Sequence, residues 1–139
     1  MAAVILGIDH IGIAVESLRR AGAFYAAGLG LGISHQEDLP DRGLKVAFIP
    51  VGGLELELLE PTDPNSPVAK FLAKRGPGIH HVALRVDNIE AALHQLESRG
   101  VELLDKTPRP GAQGKRIAFL SPRSTGGVLI ELCQVNTAG

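Results

Sequence analysis

Residues 9–15 read DHIGIAV and residues 80–86 read HHVALRV, and the fold follows from taking the two as copies of one element. Each copy has a histidine in second place, alternates apolar residues after it and ends in valine. Such alternation marks a half-buried strand. Read onward, DHIGIAVESLRRAGAFYAAGLGLGI from Asp9 aligns with HHVALRVDNIEAALHQLESRGVELL from His80. His10 answers His81, Val15 answers Val86, Glu16 answers Asp87 and Ala21 answers Ala92, all at an offset of 71 residues. Leu18, Ala21, Phe24 and Tyr25 in one copy, and Ile89, Leu93 and Leu96 in the other, recur at helical spacing, so helices are expected over 17–28 and 88–99. Gly28, Gly30, Gly32 and Gly100 punctuate their ends.

The offset persists downstream. KVAFIP from Lys45 matches RIAFLS from Arg116, and GGLELEL from Gly52 matches GGVLIEL from Gly126. The last match pairs Glu57 with Glu131 at an offset of 74, because the second copy has a longer turn, SPRSTGG. Each half therefore reads as a His-bearing strand, a helix, a strand, a hairpin and a Glu-bearing strand. The expectation is an α+β chain of two tandem βαβββ modules within one domain over 1–139. Module one covers about 7–60 and module two about 79–135. Between them, PTDPNSPVAKFLAKRGPG (61–78) reads as a Pro-rich turn, a short helix over Pro67 to Lys74 and a Gly-Pro break.

Composition narrows the class. Hydrophobic residues at 45% and charged residues at 21% suit a folded globular chain rather than a disordered one. The net charge of −1 supplies no global field for nucleic acid or an anionic membrane. The single cysteine, Cys133, excludes an intrachain disulfide, fits a reducing compartment and sits in an apolar run as a buried, inert thiol. MAAVILGIDH has neither a basic n-region nor a long apolar h-region, and no window approaches the roughly 18 apolar residues of a membrane helix. A cytoplasmic location is expected.

Four residues carry chemistry at repeat-related places: His10 and Glu57 in module one, His81 and Glu131 in module two. Two imidazoles and two carboxylates suit a borderline divalent ion such as Co, Ni, Zn or Mn, and leave positions open for substrate oxygens on a six-coordinate ion. A lone strand histidine is ordinarily a core or edge residue, and a lone strand glutamate a solvated one. Four of them at matched places, each among apolar neighbours, are not accounted for that way. In GLELELLEP, Glu55 and Glu57 share a face, and periodicity does not choose between them. The repeat chooses Glu57, because the matching Val128–Glu131 stretch has one acid. His80 and His81 point to opposite faces, and since His80 answers Asp9, His81 is the expected ligand and His80 a packing residue behind the sheet.

The sequence also resembles a known family. DHIGIAV at 9–15, ELLEPTDPNSPVAKFLAKRGPGIHHVALRV at 57–86 and GAQGKRIAFLSPRSTGGVLIEL at 111–132 are similar to the methylmalonyl-CoA epimerase family. That family lies within the vicinal oxygen chelate (glyoxalase/bleomycin resistance) superfamily. The resemblance covers nearly the whole chain. It implies a curved mixed sheet around a metal, with His10, His81 and Glu131 as ligands and a Gln or Glu at the place of Glu57. It also implies homodimers, an acyl-CoA substrate and Co²⁺ as the favoured ion, with Ni²⁺, Mn²⁺ or Zn²⁺ as substitutes.

The activity so implied is epimerisation of (2R)- and (2S)-methylmalonyl-CoA, by removing and returning the proton on the carbon alpha to the thioester. A divalent ion would stabilise the enediolate. Two bases are needed, and Glu131 and Glu57 are the expected pair; Val46 stands where some members of the family carry an acid. Lys115, Arg116 and Arg123, with Lys70, Lys74, Arg75, Lys106 and Arg109, are the cations available to the carrier's phosphates. The glycines of RPGAQGKR (109–116) permit close backbone approach there. Phe48, Phe119 and Leu120 are read as core beneath the sheet. Two rival readings remain: a glyoxalase I-type lactoylglutathione lyase, which uses a similar metal set, and a metal-free small-molecule-binding member of the same fold.

Overall fold

The computed structural model describes residues 3–135. The chain divides into two compact units, His10–His80 and Met1–Asp9 with His81–Gly139. The division passes within two strands, β1 (Ile5–Ala14) and β5 (Gly78–Val86).

The first unit, His10–His80, holds most of the first βαβββ module. After β1 come α1 (Leu18–Leu29), β2 (His35–Leu39), β3 (Leu44–Val51), β4 (Leu54–Pro61) and α2 (Pro67–Arg75). Its strands lie in the order β2-β3-β4-β1, with β2–β3 and β3–β4 antiparallel and β1–β4 parallel. Both helices start on a serine cap: Ser17 Oγ accepts from Arg20 N–H and Ser66 Oγ from Ala69 N–H, with Pro67 at the first helical position. α1 lies on the face formed by Ala47, Ile49 and Leu58, and Leu18, Ala21 and Tyr25 pack there. Phe24 does not join them. It is exposed and packs edge-on to Tyr25, because its place on the helical wheel falls at the margin of the stripe. Gly43, at φ 66°, closes the turn between β2 and β3 by donating to Pro40 C=O.

The second unit contains the rest of β5, α3 (Ile89–Ser98), β6 (Arg109–Pro110), β7 (Arg116–Leu120) and β8 (Ile130–Gln134). The strand order β5-β8-β7-β6 repeats the first unit's, with β5–β8 parallel and the other pairs antiparallel. Asn88 caps α3, and Ile89 N–H donates to the Gln134 side chain. Ile89, Ala92 and Leu93 bury against Ala118, Leu120 and Leu132, as the helical spacing requires. The N-terminal segment is tied here too: Val4 N–H donates to the Asp87 carboxylate and Asp87 N–H to Val4 C=O. Mixed parallel and antiparallel pairing, with α1 and α3 each packed on the strands of its own unit, is the expected α+β plan. Among the described residues, no helix is long and apolar enough to cross a membrane.

Candidate metal centre

In the first unit, the parallel register sets His10 of β1 beside Glu55 of β4 and Gly12 beside Glu57. Residues opposite one another on paired strands share a face, so His10 and Glu57 are diagonal neighbours on the face away from α1. Their side chains meet: His10 Nε2 lies 3.2 Å from Glu57 Oε1, and both are 5% exposed. Glu55, on the same face, is only half-buried.

The second unit repeats this. Ala83 of β5 lies beside Glu131 of β8, which sets His81 diagonal to the acid. His81 Nε2 is 3.5 Å from Glu131 Oε1, with side-chain exposures of 1% and 3%. Burying an imidazole and a carboxylate together is costly unless each is satisfied, and a shared cation satisfies both. Nitrogen and oxygen donors in equal number fit a borderline divalent ion. Of the two acids, Glu57, the one the repeat singles out, is the buried one. The His80 ring centroid sits 5.0 Å from Phe71 of α2, edge-on.

Phe48 and Phe119 are buried core residues, as expected, but they stand on the histidine face rather than the helix face. Phe48 is the cross-strand partner of Glu57 and meets the His10 ring edge-on at 6.4 Å. Phe119 is the partner of Glu131 and meets the His81 ring edge-on at 5.7 Å. The offset of 71 residues pairs these two phenylalanines and was the available signal. Each ring fills the space beside a candidate ligand and restricts how its imidazole turns. Leu120 lies in the core against α3, as expected.

Asp9, which precedes His10, was not foreseen. Its carboxylate is buried in the second unit and accepts from Arg85 Nε at 3.0 Å, Arg85 Nη2 at 2.9 Å and Lys115 Nζ at 2.7 Å. Lys115, expected at the acyl carrier, has this partner. Arg116 pairs with Glu90 on the surface, and its guanidinium holds the Glu90 carboxyl below the usual range. Arg123 is exposed, with its N–H donating to Ser121 Oγ. Cys133 is the buried thiol expected: burial first, then the Asp9 and Glu131 charges, push it well above the usual thiol range.

The model of the Glyoxalase/Bleomycin resistance protein/Dioxygenase superfamily matches residues 9–119. The mitochondrial methylmalonyl-CoA epimerase of Homo sapiens is 41% identical over 128 residues, covering 91% of this chain and 73% of that one. The ethylmalonyl-CoA/methylmalonyl-CoA epimerase of Cereibacter sphaeroides is 40% identical over 130 residues, covering 92% and 97%. A solved structure of a methylmalonyl-CoA epimerase in complex with methylmalonyl-CoA and NH4+ superposes with a TM-score of 0.92 at 38% identity, covering 96% of this chain and 97% of that one.

Proposed function

The chain belongs to the Glyoxalase/Bleomycin resistance protein/Dioxygenase superfamily, and on that footing we propose that it is an isomerase interconverting (2R)- and (2S)-methylmalonyl-CoA. The observation that carries the reading is the pair of repeat-related, buried His–Glu couples, His10–Glu57 and His81–Glu131. Relatives named as methylmalonyl-CoA epimerases, 40% and 41% identical over nine-tenths of this chain, give it the substrate.

In this proposal, His10, Glu57, His81 and Glu131 together hold one divalent ion, Co²⁺ by preference and Ni²⁺, Mn²⁺ or Zn²⁺ otherwise. Bound there, such an ion would supply Lewis-acid stabilisation of the negative charge that develops on the substrate. The protein's own part is positional. Phe48 and Phe119 hold the two imidazoles edge-on and keep water from their faces. Glu131 takes the proton from one side of the alpha carbon. The alpha C–H electron pair passes into the thioester carbonyl, and a second acid returns a proton to the opposite side. Glu57 is the acid that repeat reasoning offers for that second role.

Arg116 and Arg123 lie at the protein surface, suited to the phosphates of an acyl carrier, with Lys115 nearest the buried end of the same segment. A cytoplasmic homodimer belongs to the same reading. What supports self-association is the set Val4, Ile5, Leu6 and Ile8, residues that are 44–61% exposed.

A glyoxalase-type activity is not favoured by the named relatives, and retention of all four candidate ligands argues against a metal-free binding role. The test is turnover of a single methylmalonyl-CoA diastereomer beside isomerisation of the methylglyoxal–glutathione hemithioacetal. Conversion of the first is expected; conversion of the second alone would refute the reading.

A further inference from the structure

Within the first unit, the register places a third acid on the same face as His10 and Glu57. Strand β2 lies two strands from β4, and the Cα partners run His35–Phe48–Glu57 and Glu37–Val46–Leu59 across β2, β3 and β4. Residues opposite one another in an antiparallel ladder project to the same side. His35 and Glu37 therefore share the face of Phe48 and Glu57, while Ala47, Ile49 and Leu58 turn to α1. Two strand spacings put the Glu37 backbone roughly 10 Å across the sheet from β4. The residues between the two acids on this face are Val46 and Phe48, both fully buried.

Glu37 is held in place rather than waving in solvent. Its Oε1 is 3.0 Å from His35 Nε2, and the His35 ring stacks on Phe48 at 6.1 Å between centroids, 26° from parallel. Phe48 in turn meets the His10 ring. The Glu37 side chain is 28% exposed, so substrate can reach it, whereas Glu57 is 5% exposed against His10. Glu55 also lies on this face, beside His10 toward the hairpin end, with no such brace.

An epimerase needs acceptors on both sides of the carbon. Glu57 is paired with His10 and 5% exposed, as suits a ligand, whereas Glu37, two strands away on the same face, is braced and 28% exposed. The geometry points to Glu37 as the second proton acceptor, with Glu57 a ligand only. This rests on the epimerase reading above. The alpha C–H bond of one diastereomer breaks, its proton passes to the Glu37 carboxylate, and its electron pair enters the thioester carbonyl. The enediolate then takes a proton on carbon from Glu131, and the reverse direction exchanges the two roles.

The test compares wild type, Glu37→Gln and Glu55→Gln, with both diastereomers in D₂O. Epimerisation and deuterium uptake at the alpha carbon are followed, and metal content and melting temperature are recorded. In Glu37→Gln, epimerisation should fall by about 10²–10⁴-fold, the usual worth of a general base. Deuterium should still enter, without inversion, the diastereomer whose proton faces Glu131, and metal content should be unchanged. Glu55→Gln should turn over like wild type. Glu37→Gln turning over like wild type would overturn the assignment. So would equal loss of exchange from both diastereomers, or a Glu55→Gln variant that shows the one-sided pattern instead. If wild type itself neither epimerises nor exchanges either diastereomer, the epimerase reading fails, and that result is visible before any variant is compared.

Discussion

Replacing Asp9 by alanine should be the most damaging single change in the second unit outside its apolar core. The carboxylate accepts three charge-assisted bonds, two from Arg85 and one from Lys115. Its two partners differ in what they can recover. The Arg85 side chain is 40% exposed and can turn to water, whereas that of Lys115 is 11% exposed and would lose a 2.7 Å charge-assisted bond that solvent cannot readily replace. Breaking a buried pair by removing one member costs about 3–5 kcal/mol, a large share of the roughly 5–15 kcal/mol that holds a domain of this size. Lys115→Met should cost less, about 1.5–3 kcal/mol, since Asp9 keeps both Arg85 bonds. The double variant should be less destabilised than the sum of the singles by about 1–3 kcal/mol. Urea denaturation of metal-stripped protein, followed by circular dichroism, reads all three. A cost below about 1 kcal/mol for Asp9→Ala, or strict additivity, would show that the cluster is not the buried brace described.

Further outcomes follow from single residues. Gly43→Ala should destabilise by at least the roughly 1–2 kcal/mol of a left-handed alanine, because a Cβ there would also stand 2.8 Å from Asp63 Cβ and 3.2 Å from Ser66 Cβ; a change within about 0.5 kcal/mol in urea would contradict this. Cys133 should resist maleimide at pH 8 and react only on unfolding. Its raised thiol stays protonated where a free thiol has begun to ionise, and it is wholly buried. Rapid labelling of the native protein would disprove that.

Much of the plan was legible because the two halves obey one pattern. The strand before α1, the hairpin β3–β4 and the Glu-bearing strands all follow from apolar alternation and the shared offset. What was not legible has physical causes. β1 begins at Ile5, ahead of the 9–15 stretch, but its first apolar residues are exposed and produce no inside–outside alternation. β3 is buried on both faces from Val46 to Ile49, so alternation could not say which face Phe48 takes. β2, HQEDL, is nearly all polar and carries no apolar alternation to mark it, which hid Glu37. Asp9 meets partners 76 and 106 residues away, and nothing local announces them.

The central claim is that one ion is shared by a His–Glu couple from each module, and elemental analysis after mild dialysis tests it most directly. Wild type should retain one divalent ion per chain, and His10→Ala and His81→Ala should each lose it while unfolding cooperatively. Two ions per chain in wild type, or a full complement of metal in either variant, would contradict the account.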